Sequence, residues 1–187
     1  MDKRIPAFES DKIRIEETPE ETRISISGKI PSQQFAMLSI WLLAWTLSGL
    51  YVMSQLFTVL PQNTKTFMIV WLVFWLYFEY KIGNAWLWRK FGREVLLLKK
   101  GKSQLRFEVA YGGKGEEFAT DSIRDLQLLE SKKGLFIKNY FSSFWVIGGE
   151  TIGFSISGKI KMFGRQLPEK DAEKLIGFID YRLRKYK

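Results

Sequence analysis

The feature that most constrains this chain is a run of 35 residues, numbers 30–64, without a single charged side chain. A second uncharged run follows Lys65 and covers residues 66–78. A helix needs about 20 mainly apolar residues to cross a bilayer. Residues 35–60 exceed that length, so the two runs predict a pair of transmembrane helices joined as a hairpin.

The second span reaches a sufficient length only by including Glu79 and Lys81, and it extends to Trp88. We therefore predict a membrane hairpin over residues 34–88, with a short polar turn at residues 61–65. The first run begins too far along the chain, and is too long, for a cleaved signal peptide. A hairpin buried in a soluble protein is the other alternative, but nearly all faces of both segments are apolar.

The flanking cations predict the orientation. The turn carries only Lys65, whereas the other side of the hairpin carries Arg23, Lys29, Arg89, Lys90 and Arg93. Cytoplasmic flanks are enriched in such residues. We expect a multi-pass protein of the inner (cytoplasmic) membrane with both termini in the cytoplasm. Trp86 and Trp88, beside Arg89 and Lys90, predict an interfacial anchor.

Tryptophans lie on one face of each predicted span, and small residues accompany them in the first span. Two tryptophan pairs recur at i, i+4 spacing, which places each pair on one face of its helix. In the first span, Ala44 and Ser48 form a pair of small residues four apart, which allows close approach of helices in lipid. The predicted packing or partner face comprises Trp41, Ala44, Trp45, Ser48, Gln55, Trp71 and Trp75. It either packs within the hairpin or docks on another membrane protein, and the tryptophans contact lipid, protein, or a pigment or quinone.

The sequence before and after the hairpin has the alternation of β-strands. Residues 1–30 predict a cytoplasmic β-hairpin from the alternating Ile13/Ile15 and Ile24/Ile26. Residues 89–187 predict a β domain that ends in an amphipathic helix from Pro168. The hairpin of residues 1–30 is expected to join this domain. Its strands are predicted at residues 94–98, 105–111, 117–119, 123–129, 134–138, 144–147, 151–157 and 159–163.

This order of elements resembles that of bacterial membrane-anchored pleckstrin-homology-like proteins. The likeness rests on the basic aromatic junction WLWRK at residues 86–90 and on FGRQLPEKDAEKL at residues 163–175. The resemblance implies an α+β soluble domain, an antiparallel β-barrel or bent sheet closed by the C-terminal helix. It covers the element order over most of the chain.

The chain has no His and no Cys. Thiol and imidazole catalysis, disulfides and Cys/His metal sites are therefore excluded. The glycines of residues 112–115 lack the spacing of a phosphate-binding loop and predict a hairpin tip instead. We expect a protein that is not an enzyme and needs no cofactor or metal. Glu79, the one acid in the membrane block, is either a functional carboxyl or an interfacial residue next to Lys81.

The net charge of +9 is unevenly distributed. Residues 1–30 carry six basic and seven acidic side chains, whereas residues 81–187 carry 22 basic and 12 acidic ones. Anionic lipids of the cytoplasmic leaflet are the nearest partner for such an excess, and no nucleic-acid motif accompanies it. The expected headgroup contacts are Lys99, Lys100, Lys102, Lys132 and Lys133. Positive-inside topology and solubility are the alternative explanation.

Two functions follow from these features. The first is a non-catalytic accessory or assembly subunit, a scaffold that docks on a larger membrane protein complex. The alternative is a membrane-tethered module that binds anionic lipids or peptides through its basic loops.

Overall fold

The computed structural model of the chain describes residues 6–59, 61–110, 112–129, 143 and 145–186. Within those residues the chain forms three α-helices and two antiparallel β-sheets, which confirms the predicted α+β class. Lys132, Lys133 and the strand predicted at residues 134–138 lie outside the described residues.

The helical hairpin consists of α1 (Ser32–Gln55) and α2 (Gln62–Phe91). Each helix begins directly after a proline, Pro31 or Pro61. Proline is well suited to a helix start, because backbone N–H groups there have no partner within the helix and proline has no N–H. Each is long and apolar enough to cross a bilayer, and only 11 % of its most apolar stretch is buried inside the chain. The turn predicted at residues 61–65 is wrong, because residues 62–65 already form the first turn of α2.

The first sheet has the strand order β1 (Ile13–Glu17), β2 (Glu21–Ser27), β3 (Arg93–Lys99), β4 (Lys102–Val109) and β5 (Gly112–Ala119). The β1–β2 hairpin thus joins the strands that follow α2. In the ladder between β2 and β3, Ile24 lies opposite Leu96 and Ser27 opposite Arg93. Alternation along β2 buries Thr22, Ile24 and Ile26, so its other face is open.

The hairpin tip predicted at residues 112–115 is wrong, because these residues lie inside β5 and pair with β4. The chain reverses just before them, where Ala110 has φ 53°. A side chain at Gly113 would lie 2.9 Å from the Phe107 carbonyl oxygen, and one at Gly115 would lie 2.7 Å from the Arg106 side chain. The glycines therefore allow β5 to lie close to the backbone and side chains of β4.

The second sheet contains β6 (Ile123–Leu128), β7 (Glu150–Ile156) and β8 (Lys159–Arg165), in that order. A strand predicted at residues 144–147 is wrong for the described part, since residues 145–147 form a turn and a bend. Val146 uses its carbonyl oxygen to accept a hydrogen bond from Arg89, and the ring of Trp145 contacts Trp41. This segment is thus held by the helical hairpin rather than by a neighbouring strand.

The C-terminal helix α3 (Glu169–Tyr186) packs on strands of both sheets and completes the core. Asp171 in its first turn is fully buried and accepts hydrogen bonds from the backbone N–H groups of Glu9 and Ser10, at 2.7 and 2.9 Å. Burial alone would raise the pKa of Asp171, but these hydrogen bonds outweigh it and lower the pKa. Among the described strands, none pairs with both sheets, so the two sheets do not form a closed barrel.

Candidate membrane-junction site

The last turn of α2 joins the helical hairpin to the β domain. Trp88 and Arg89 are each 3 % exposed, whereas Lys90 and Phe91 point outward. Arg89 donates to the Val146 carbonyl oxygen at 2.9 Å and to the Gly28 carbonyl oxygen at 3.4 Å. The predicted interfacial anchor is therefore divided, with Trp88 and Arg89 inside the protein and Trp86 and Lys90 nearer its surface.

Two glycines let the backbone approach the Trp88 ring. A side chain at Gly28 would lie 2.8 Å from Trp88 Nε1, and one at Gly92 would lie 2.5 Å from the ring carbons. The Gly28 N–H donates to the Gly92 carbonyl oxygen at 2.9 Å. Because both glycines flank the helical hairpin, this contact closes the chain at the base of α1 and α2.

A buried carboxyl lies directly after the junction. Glu94 is 1 % exposed and accepts the Gly164 N–H at 2.6 Å, while Arg165 Nε lies 3.4 Å from its Oε1. The Arg165 guanidinium also lies 4.8 Å from the Trp88 ring centroid and 2.9 Å from Glu150. Burial raises the pKa of Glu94 to about 7, although the Arg165 charge and the backbone N–H groups oppose the shift.

Trp86 lies on the side of α2 that faces α1. Its indole N–H donates to Ser39 Oγ at 2.8 Å, and its ring stacks on Phe35 with centroids 5.7 Å apart. The Lys90 ammonium lies 4.6 Å from the Trp86 ring centroid, within the range of a cation–π contact. This end of the hairpin thus carries an aromatic surface with a cation beside it.

The tryptophans of the predicted packing face contact one another. Trp41 stacks on Trp45 with centroids 5.3 Å apart, and Trp45 lies 6.0 Å from Trp71. Trp145 lies 5.0 Å from Trp41, edge to face. A line of four rings therefore runs from the β domain into the hairpin.

Trp75 of α2 packs against α1 at Gly49. Its indole N–H donates to the Trp45 carbonyl oxygen at 2.9 Å, and its ring lies over Gly49, where an added side-chain carbon would come within 1.9 Å. The small residue that permits helix approach is therefore Gly49. Of the predicted small pair, Ser48 donates to its own helix, at the Trp45 carbonyl oxygen, and Ala44 is exposed. Gln55 is half-buried at the end of α1.

Glu79 lies between the two helices. Its Oε1 is 2.7 Å from Thr46 Oγ1, which is also 2.8 Å from the Leu42 carbonyl oxygen. A hydroxyl has only one hydrogen to donate. The Thr46 hydroxyl therefore shares its hydrogen between the Leu42 carbonyl oxygen of α1 and the Glu79 carboxyl of α2, and this contact joins the two helices.

The expected lysine contacts are distant from the helices. Lys99, Lys100 and Lys102 lie at the turn between β3 and β4. Lys99 lies six residues after Arg93 along an extended strand, which corresponds to about 20 Å. Lys99 forms an ion pair with Glu21 at 2.6 Å, and Lys102 pairs with Glu117.

A basic groove of about 710 Å³ lies instead at the base of α2, on the open face of the first sheet. We call it the junction groove. Arg93 pairs with Glu108 at 2.5 Å, and Arg14 pairs with Glu16 at 3.0 Å. Burial and the Arg89 charge lower the pKa of Lys12. The residues that line the groove are Asp11, Lys12, Arg14, Glu16, Arg23, Ser25, Ser27, Lys29, Lys90, Phe91, Gly92, Arg93 and Ala110.

Sequence reasoning missed this groove, because it assigned the positive charge to residues 81–187 alone. The groove gathers cations from β1, β2, the end of α2 and the start of β3. From the sequence, Arg23 and Lys29 were used only to predict the orientation of the hairpin in the membrane. The period-two pattern of β2 places Arg23, Ser25 and Ser27 on one face, which is the one signal that pointed to it.

No family model matches this chain, and no curated protein or solved structure matches it either. The likeness to pleckstrin-homology-like proteins therefore remains a prediction. In the described part of the chain, no three acidic side chains come together in a group that could hold a metal ion.

Proposed function

We propose that this chain is a non-catalytic accessory or assembly subunit of a larger complex in the inner membrane, with the helical hairpin in the bilayer and both termini in the cytoplasm. The soluble part is proposed to be a pleckstrin-homology-like domain, in which a five-stranded and a three-stranded sheet are capped by α3. In this role the hairpin docks in the membrane and the β domain presents a fixed cytoplasmic surface.

The observation that carries the proposal is the buried coupling between hairpin and β domain. Arg89 and Trp88 lie in the protein interior, and Trp145 of the β domain contacts Trp41 of α1. A merely tethered binding domain needs only a flexible linker. Here Gly92 alone separates α2 from β3, so the β domain keeps one orientation relative to the hairpin. A fixed orientation suits a subunit that contacts its complex both within the bilayer and at the cytoplasmic surface.

The exposed side of α1 offers the docking surface. Its apolar residues recur with spacings of three and four, a pattern typical of helix–helix contacts. Ala44 lies at the centre of this row, where a small side chain lets a partner helix approach closely. We define the α1 seam as Met37, Ile40, Ala44, Leu47 and Tyr51.

The test is purification of the tagged full chain from its native membranes in a mild detergent, followed by mass spectrometry. We expect one membrane complex to co-purify in constant ratio with the wild type, and to be lost with Ala44→Trp. Ile69→Trp, at an exposed position on α2, is the matched control and should retain the complex. A wild-type chain that purifies alone as a stable monomer would overturn the proposal.

The junction groove favours a second candidate, a membrane-tethered module that binds anionic lipids. The groove lies beside the end of α2 and carries six basic side chains against two acidic ones. This candidate is compatible with the first, because the groove and the α1 seam use different residues.

A further inference from the structure

We propose that the junction groove binds the phosphate group of an anionic phospholipid from the leaflet in which α2 ends. The inference rests on the proposed membrane placement of the helical hairpin. It assigns the lipid site to the open face of β1–β3, not to the lysines of the β3–β4 turn.

The first support is the charge left over after ion pairing. Arg14 and Arg93 are each paired with a glutamate. No acidic side chain in the described ranges forms an ion pair with Arg23, Lys29 or Lys90. These three cations line one groove, and a phosphate diester supplies the single negative charge and the acceptor oxygens that they lack.

The second support is the position of the groove along the chain. Lys90 and Phe91 form the last turn of α2, and Lys29 lies just before α1. The two helix ends that leave the bilayer therefore meet at this groove. A phospholipid beside the hairpin already has its phosphate at this depth, so binding needs no transfer of ligand from solution.

The third support is an apolar wall beside the cations. Phe91 is 47 % exposed and lines the groove together with Lys90. The Lys90 ammonium lies 5.2 Å from the Phe91 ring centroid. An apolar ring next to a cation matches the boundary between the acyl chains and the phosphate of a lipid, whereas inorganic phosphate would gain nothing from the ring.

The experiment uses the purified full chain in a neutral detergent, with short-chain phosphatidylglycerol, phosphatidylcholine and inorganic phosphate as separate probes. Binding is followed by the shift in thermal midpoint and by native mass spectrometry. We expect phosphatidylglycerol to bind and raise the midpoint, while the other two probes have little effect. Equal binding of inorganic phosphate would overturn the assignment to a lipid.

The variant Arg23→Gln/Lys29→Gln/Lys90→Gln should lose about 100-fold in phosphatidylglycerol affinity, because each cation near an anionic group contributes a few-fold. Lys99→Gln/Lys100→Gln/Lys102→Gln removes the same charge at the far end of the sheet and should bind like the wild type. An unchanged groove variant, or an equal loss in both variants, would overturn the proposal. A groove variant that loses lipid binding but still retains the co-purifying complex would show that the lipid site is independent of the subunit role. The Ala44→Trp variant tests the subunit role alone.

Discussion

Burial determines the chemistry of Glu94. Its raised pKa means that the folded chain favours the neutral acid, with Arg165 and Glu150 as the charged groups that face it. The associated stabilisation is complete below the ordinary pKa of 4.5 and is lost as the pH rises through about 7. We expect the free energy of unfolding to fall by about 3 kcal/mol over that interval, measured by thermal or denaturant unfolding of the full chain in detergent.

The variant Glu94→Gln cannot ionise but keeps an oxygen to accept the Gly164 N–H. It should therefore be less dependent on pH than the wild type between about pH 5 and 8. Glu108→Gln, which removes the half-buried partner of Arg93, is the matched control and should keep the wild-type slope. An undiminished slope in the Glu94 variant would contradict the assignment.

Gly49 is the residue that fixes the spacing of the two helices. An alanine there would place its side chain 1.9 Å from the Trp75 ring, so the ring or a helix must move. Overpacking of this kind costs about 1–3 kcal/mol. We expect Gly49→Ala to lower the thermal midpoint of the full chain in detergent.

Gly83 provides the control for that substitution. It also lies in the hairpin, on α2, but nothing is within 4 Å of the position its side chain would take. Gly83→Ala should be neutral or stabilising by up to about 1 kcal/mol, as expected for alanine in a helix. Equal effects of the two alanines would show that Gly49 has no special packing role.

At the scale of elements, the hydrogen bond from Thr46 to Glu79 is one of the polar contacts that join α1 to α2. Replacing either Thr46 or Glu79 should lower the free energy of unfolding. Replacing both should lower it by less than the sum of the two single effects. Couplings of this kind between membrane helices average about 0.6 kcal/mol. The double-mutant cycle of Thr46→Val and Glu79→Leu, measured by unfolding in mixed micelles, checks this. A coupling near zero would mean that the contact contributes nothing to stability.

Sequence patterns predicted the helices and strands that are specified by local hydrophobic periodicity. The charge-free run gave α1 and α2, and alternating isoleucines gave β1 and β2. The pattern at residues 112–115 misled, because glycines usually mark turns, whereas here they allow strands to pack closely. The apolar segment at residues 145–147 also misled, because it forms a turn and a bend, with the Trp145 ring against Trp41 of α1, and does not pair as a strand.

The candidate site was harder to predict for a similar reason. Arg89 has the sequence context of an interfacial cation, but the fold places carbonyl groups from residues 28 and 146 around it. The junction groove combines residues near position 25 with residues near position 90. Contacts between positions so far apart are set by the ladder of β2 and β3, which no local pattern encodes.

For the whole molecule, the proposed topology places Lys65 on the outer side of the membrane and Lys185 in the cytoplasm. The chain has no cysteine, so a single introduced thiol reports on one position. We expect Lys65→Cys to react with a membrane-impermeant maleimide in intact cells, and Lys185→Cys to react only after the membrane is opened. The reverse pattern would invert the topology, and reaction of both in intact cells would exclude it.

In the proposed topology, the pairing of β2 with β3 has a consequence for biosynthesis. β2 leaves the ribosome before both helices, and β3 leaves it after them. A chain that inserted only one helix would leave these strands on opposite sides of the bilayer, each with a row of unpaired backbone groups. Completion of the five-stranded sheet therefore requires that both helices have inserted, because only then do β2 and β3 lie on the same side of the bilayer.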